Sequence, residues 1–142
     1  MRKLGIALVI SAISLFVVHG WIILFQPTIF ESTQIDRPLH FAGGALVALF
    51  AGLVIFSERA FISARSLPWW ILLIALVNFS IFIGVLWEFY EFAWDEWMAR
   101  PFGAAIAQPN LQDTIEDLVF DLAGAVAAGI AFLAFIRPRP NV

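Results

Sequence analysis

Glu88, Glu91, Asp117 and Asp121 are carboxylates set in apolar sequence, and they are where chemistry is expected. Glu88 and Glu91 end the run Gly84-Val85-Leu86-Trp87-Glu88-Phe89-Tyr90-Glu91, while Asp117 and Asp121 open the run that closes at Ile136. A carboxylate at membrane depth costs at least about 2–3 kcal/mol unless a partner or a water-filled cavity compensates, so it marks a candidate site. On a helix, Glu88, Glu91 and Asp95 share one face through their spacings of three and four, and Asp117 and Asp121 share another. His40 and His19 are the only imidazoles in the chain. Excess carboxylates in an apolar layer must take up protons or bind a cation. The expected ligands of a divalent cation are therefore Glu88, Glu91, Asp117, Asp121 and His40, with Asp95, Asp113 and His19 as a second tier. Carboxylate oxygens suit Mg²⁺, Ca²⁺ or Mn²⁺, and an added imidazole brings in Zn²⁺ or Fe²⁺. The residues leave the identity of the ion open.

Simpler readings stand beside this one. Asp113-Thr114-Ile115-Glu116 fits a helix capping box. Asp95 and Glu96 fit a solvated helix end, and Glu31, Asp36 and Glu58 read as loop charges. His19 also fits a hydrogen bond between helices, and the acids together fit a network that holds helices in register.

The elements that must position these residues are apolar. Of 142 residues, 62% are hydrophobic and 13% are charged, against about 25% charged in soluble domains. The expected fold is a single all-α domain, a bundle of four transmembrane helices at roughly 4–25, 39–56, 69–98 and 114–136. Strands are not expected, because open sheet edges cannot face lipid. The first run is longer than the apolar core of a signal peptide and lacks a small-x-small cleavage site, so it reads as an uncleaved helix. The net charge of −3 argues against a nucleic-acid partner, and the lack of cysteine excludes disulfides and thiolate ligands.

Lys and Arg set the orientation. Four spans place Arg2, Lys3, Arg59, Arg65, Arg137 and Arg139 on one side, and Arg37 and Arg100 on the other. The positive-inside rule then puts both termini in the cytoplasm of a bacterial inner membrane. His19, His40 and the acids of both later helices fall at the outer end.

Asp36-Arg37-Pro38-Leu39-His40, the Glu88/Glu91 run and Asp113-Thr114-Ile115-Glu116-Asp117-Leu118-Val119-Phe120-Asp121-Leu122-Ala123-Gly124-Ala125 together resemble the VanZ-like membrane proteins. They resemble most a branch with a Gly-x-x-x-Glu-x-x-Glu helix followed by an Asp-rich helix ending in Gly-Ala. The likeness runs from about Asp36 to Ile136. Glu91 and Asp121 depart from the VanZ pattern, which tends to carry Gln and Asn there. The resemblance implies a small multi-pass bacterial protein and names no reaction.

Three functions follow. The first is an outward-facing cation site acting on cell-envelope or lipid-linked phosphate substrates, although no nucleophile or arginine cluster accompanies it. The second is a proton or cation pathway. The third is a non-catalytic subunit of a larger membrane complex, or a homo-oligomer, that uses the acids for assembly. Reporter fusions at Arg2 and Val142 are expected to read cytoplasmic at both ends; opposite readings would remove a span and scatter the site.

Overall fold

The computed structural model describes residues 2–26, 28–30, 34–56 and 67–136. Among them four helices are long and apolar enough to cross a membrane, and no strand occurs. They are α1 (Arg2–Phe25), α2 (Asp36–Ile55), α3 (Trp69–Trp94) and α4 (Leu111–Ile136). Mean hydropathies of 1.9–2.4 explain why each is helical throughout: in an apolar medium a segment must satisfy its own backbone polar groups. Residues Arg59, Arg65, Arg137 and Arg139, on which the expected orientation rests, lie outside the described residues, as do Glu31 and Glu58.

Three helix ends differ by three residues or more from the sequence expectation. Helix α2 begins at Asp36 instead of 39, with Pro38 inside its first turn, where a missing N–H goes unmissed. Helix α4 begins at Leu111 instead of 114. Its cap is Asn110, whose side-chain oxygen accepts from the backbone N–H of Gln112 and Asp113 at 2.9 and 3.2 Å. Asp113 is thus inside the helix, and Glu116 pairs with Arg37 instead of closing a capping box. Helix α3 passes into a π turn, Asp95–Ala99, and a short helical turn, Arg100–Phe102. Pro101 accounts for the widening: its ring would clash with the carbonyl four residues back in a regular α-helix. Gly103, at φ 70°, then reverses the chain.

The helices pack through small residues. A Cβ on Gly124 would fall on the carbonyl oxygen of Phe41, and one on Gly44 would fall on the carbonyl of Asp121. Helices α2 and α4 therefore meet backbone to backbone, the close approach that small residues permit in membranes. Ser80 of α3 donates to the Gly44 carbonyl at 2.9 Å, which ties the third helix to the same crossing. Beyond the crossing, Leu8, Ala48, Leu72, Leu76, Ala125 and Phe132 form an apolar core at the end of the bundle remote from the 95–110 connection. At the connection end a smaller cluster of Ile22, Ile23, Phe30, Ala105 and Ala107 forms a second one. Asp36, Glu88, Glu91, Asp117, Asp121 and both histidines lie between the two.

Gly124→Ala is expected to destabilise the bundle by about 1–3 kcal/mol, because backbone cannot move aside as a side chain does. Gly43→Ala, whose Cβ would meet nothing closer than 3.7 Å, is the matched control. Thermal unfolding in detergent measures both; equal melting temperatures would refute the backbone crossing.

Candidate metal centre

Each helix brings its polar residues to the layer between the two apolar clusters. Helix α1 supplies His19, α2 supplies Asp36 and His40, α3 supplies Glu88 and Glu91, and α4 supplies Asp117 and Asp121. All seven are buried, with Glu91 and Asp117 at 0% and 1% exposure. The spacings of four between Asp36 and His40 and between Asp117 and Asp121, and of three between Glu88 and Glu91, aim each pair at the same interior.

His19 Nε2 lies 3.3 Å from Glu91 Oε1 and 3.4 Å from Asp36 Oδ1. His40 Nε2 lies 3.7 Å from Asp36 Oδ1 and 3.9 Å from Glu91 Oε1. Three overlapping sets bring one donor atom each to within 4.8 Å of one another: His19–Asp36–Glu91, Asp36–His40–Asp117 and His40–Glu88–Glu91. Both nitrogens of His19, Nε2 of His40, both oxygens of Asp36 and of Asp117, Oε1 of Glu88 and Oε2 of Glu91 are buried without a hydrogen-bond partner. Of these nine, His19 Nε2, His40 Nε2 and Asp36 Oδ1 face opposite charge at 3.3–3.9 Å, while the other six have no such partner, although buried polar atoms normally find one.

The atoms around this layer are satisfied, and they fix its orientation. Asp121 Oδ2 lies 3.2 Å from His40 Nδ1. An Nδ1–H donating to that carboxylate leaves the Nε2 lone pair facing the cluster, the arrangement by which carboxylates orient metal-binding histidines. Trp87 Nε1 donates to Glu91 Oε1 at 2.8 Å, and the Trp87 ring packs against His19 with centroids 5.0 Å apart. Gln108 Nε2 donates to Glu88 Oε2 at 2.8 Å. Arg37, in the first turn of α2, pairs with Glu116 and lies outside the layer.

The sequence-derived residues fall into distinct places. Glu88 and Glu91 share a donor set with His40, Asp117 shares another with His40 and Asp36, and second-tier His19 shares the third with Asp36 and Glu91. Asp121 stands behind His40, facing its other nitrogen. Asp113 is half-buried at the entrance, beside Arg37 and Asp36. Asp95 is neither solvated nor in the cluster. It is 2% exposed, and its two oxygens accept from the backbone N–H of Ala107 and Gln108 at 2.8 and 2.9 Å. With Trp94 donating to the Ala105 carbonyl, it folds the 103–110 segment back and delivers Gln108 to Glu88. Asp36 corrects the loop-charge reading: it is buried at the head of α2 and belongs to two of the three donor sets. Its spacing of four from His40 was the available signal, obscured because the apolar run starts only after Pro38.

Asp95→Ala is expected to release the connection and cost about 2 kcal/mol, the scale of hydrogen bonds to a charged acceptor. Amide exchange at Ala107 and Gln108 is expected to accelerate strongly; unchanged protection at both would refute the anchoring role.

No curated protein and no solved structure matches the chain. A family model described as "Predicted membrane protein (DUF2238)" matches residues 2–139, nearly the whole chain. The chain, a four-span helical protein with a buried His/Asp/Glu layer, belongs to that DUF2238 membrane-protein family.

Proposed function

We propose that this protein binds divalent metal through His19, Asp36, His40, Glu88, Glu91 and Asp117, in the outer half of a bacterial inner membrane with both termini cytoplasmic. The carrying observation is that six buried residues from all four helices bring donor atoms to within 4.8 Å of one another in three overlapping sets, and that nine of their polar atoms lack a hydrogen bond. Donors held at about 2.1 Å from one ion lie about 3.0–3.4 Å from each other in tetrahedral or octahedral sites. The His–carboxylate separations of 3.3–3.9 Å need inward shifts of only a few tenths of an ångström.

Charge supports the same reading. Asp36, Glu88, Glu91, Asp117 and Asp121 are five buried carboxylates facing two imidazoles. One divalent ion would balance two of the five negative charges and a second ion four, where protein cations do not. Two imidazoles among carboxylates favour Mn²⁺, Fe²⁺ or Zn²⁺ over the all-oxygen preference of Mg²⁺ and Ca²⁺. Asp121 would act through His40 as an orienting group, and Trp87 and Gln108 would hold Glu91 and Glu88. The metal would supply a Lewis acid for a phosphate head group arriving from the membrane surface. The likeness to VanZ-like proteins is consistent with that cell-envelope setting. The apolar core beyond the cluster argues against the proton-pathway reading, since its buried members Leu72, Leu76, Ala48 and Ala125 offer no relay group.

Metal analysis of protein purified without chelator is expected to give one or two transition ions per chain. Asp117→Asn is expected to abolish retention, Asp121→Asn to weaken affinity about 10–100-fold, and Glu116→Gln to leave it unchanged. Wild-type metal content in Asp117→Asn would refute ligation there.

Chelation is expected to lower thermal stability at neutral pH by about 2–3 kcal/mol, the linkage expected when free ion is near one hundred times its dissociation constant. Without the cation, the buried carboxylates must be met by protons. Acid supplies them, so the chelator's effect is expected to shrink as pH falls. No metal in any preparation and no chelator effect would overturn the cation reading and leave assembly as the role of the acids.

A further inference from the structure

Two cavities meet at the polar layer. One, of about 330 Å³, lies at the connection end, where Gln34, Arg37, Pro109 and Asp113 line it together with Asp36. The other, of about 410 Å³, runs between α1, α2 and α3. At its head are His19, Asp36, His40 and Asp121, and it continues past Gly43 and Val47 to Leu8 and Phe50. Asp36 lines both.

The long crevice is polar only at its head. Beyond the four head residues its walls are apolar side chains and glycines, with Ser80 as the exception. The Ser80 hydroxyl is already committed to the Gly44 carbonyl. Nothing along the walls can satisfy a polar occupant, and an unsatisfied polar group there would be heavily penalised. The occupant of that length must be hydrocarbon. Its head must instead suit a layer of carboxylates and imidazoles with orphaned donor atoms. Along α1, His19 to Leu8 spans about 16 Å at 1.5 Å per residue. That is about half of the 30 Å hydrocarbon layer, the length of one leaflet's acyl chain, and it is centred near the middle of α1, so a tail with its head at His19 would pass the midplane. Ile13, Phe50 and Phe79 line the crevice and are also exposed, so it opens sideways to lipid.

We propose that this crevice takes the apolar tail of a membrane amphiphile from the outer leaflet and places its phosphate head at the polar layer. The amphiphile enters sideways between α1 and α3, with its head between the two cavities. The inference rests on the cation reading for the head, because phosphate and carboxylates attract one another only through a shared cation. The tail is argued from the crevice walls alone. A free phosphate, reaching the site through the connection-end cavity, would share the head chemistry and lack the tail.

The test uses the full chain in lipid nanodiscs loaded with Mn²⁺, and dodecyl phosphate carrying a terminal diazirine. Crosslinks are expected to concentrate on Leu8, Val47 and Phe50. Unlabelled dodecyl phosphate is expected to compete at least about tenfold better than methyl phosphate, because each buried methylene adds to binding. Val47→Trp and, independently, Ala12→Trp fill the crevice away from the polar layer. Each is expected to cut labelling at least about fivefold with Mn²⁺ content unchanged; two sites keep the test valid if one variant fails to fold. A probe with a trimethylammonium head is expected to label weakly. Labelling spread evenly over lipid-facing Ile10, Phe82 and Phe135, or unchanged in both folded Trp variants, would overturn the proposal while leaving the cation centre standing. Equal competition by methyl phosphate, or equal labelling by the trimethylammonium probe, would also overturn it. Crevice labelling blocked by Trp in a protein that binds no Mn²⁺ would uphold the tail site and overturn the cation reading.

Discussion

The structure depends on the backbone contact between α2 and α4. Gly44 meets the carbonyl of Asp121, and Gly124 meets that of Phe41, so the two helices cross with no side chain between them. That closeness brings His40, one turn before Gly44, against Asp121, one turn before Gly124. Larger residues at the crossing would hold the helices apart and place the imidazole and carboxylate beyond reach of each other. Helix α3 joins the pair through Ser80 and Gly84, where a Cβ would collide with the Asp121 carboxylate. Small residues are here a positioning device: they set how near charged groups on separate helices can come.

Around that crossing the molecule is layered. Apolar side chains fill one end, a smaller apolar cluster forms at the other, and the polar layer lies between. The low-dielectric surroundings make every unpaired charge there expensive and every correct pairing strong. The outer groups Asp121, Trp87 and Gln108 each satisfy one atom of a cluster residue and leave another atom free.

Much of this was legible in the sequence, for identifiable reasons. The spans followed from hydropathy because lipid admits little besides helix. Glu88, Glu91, Asp117 and Asp121 stood out because period and apolar context put them on inward faces, and the Gly and Ala residues beside them marked the crossing. What was not legible depends on contacts distant in sequence. Asp36 looked like a loop charge because the apolar run begins after Pro38, and only the packed bundle shows α2 extending back to it. Asp95 is indistinguishable from a solvated helix end until the 103–110 segment folds over it. Asn110 does not stand out as a cap because Asp113-Thr114-Ile115-Glu116 makes a stronger local pattern. The different placement of Asp121, behind an imidazole, needs a direction that spacing alone does not carry.

The apolar core of Leu72, Leu76, Ala48 and Ala125 also has an electrical meaning. A dry, low-dielectric layer is where a transmembrane voltage falls, at about 2.3 kcal/mol per elementary charge per 100 mV for a full crossing. On the proposed orientation, an ion reaching Asp36 by way of Gln34 and Asp113 would enter through the connection-end cavity and cross little of that field. Occupancy of the layer would then follow the ion composition outside the cell and stay nearly indifferent to membrane potential. A core with no relay group among Leu72, Leu76, Ala48 and Ala125 would insulate the acids from the cell's voltage.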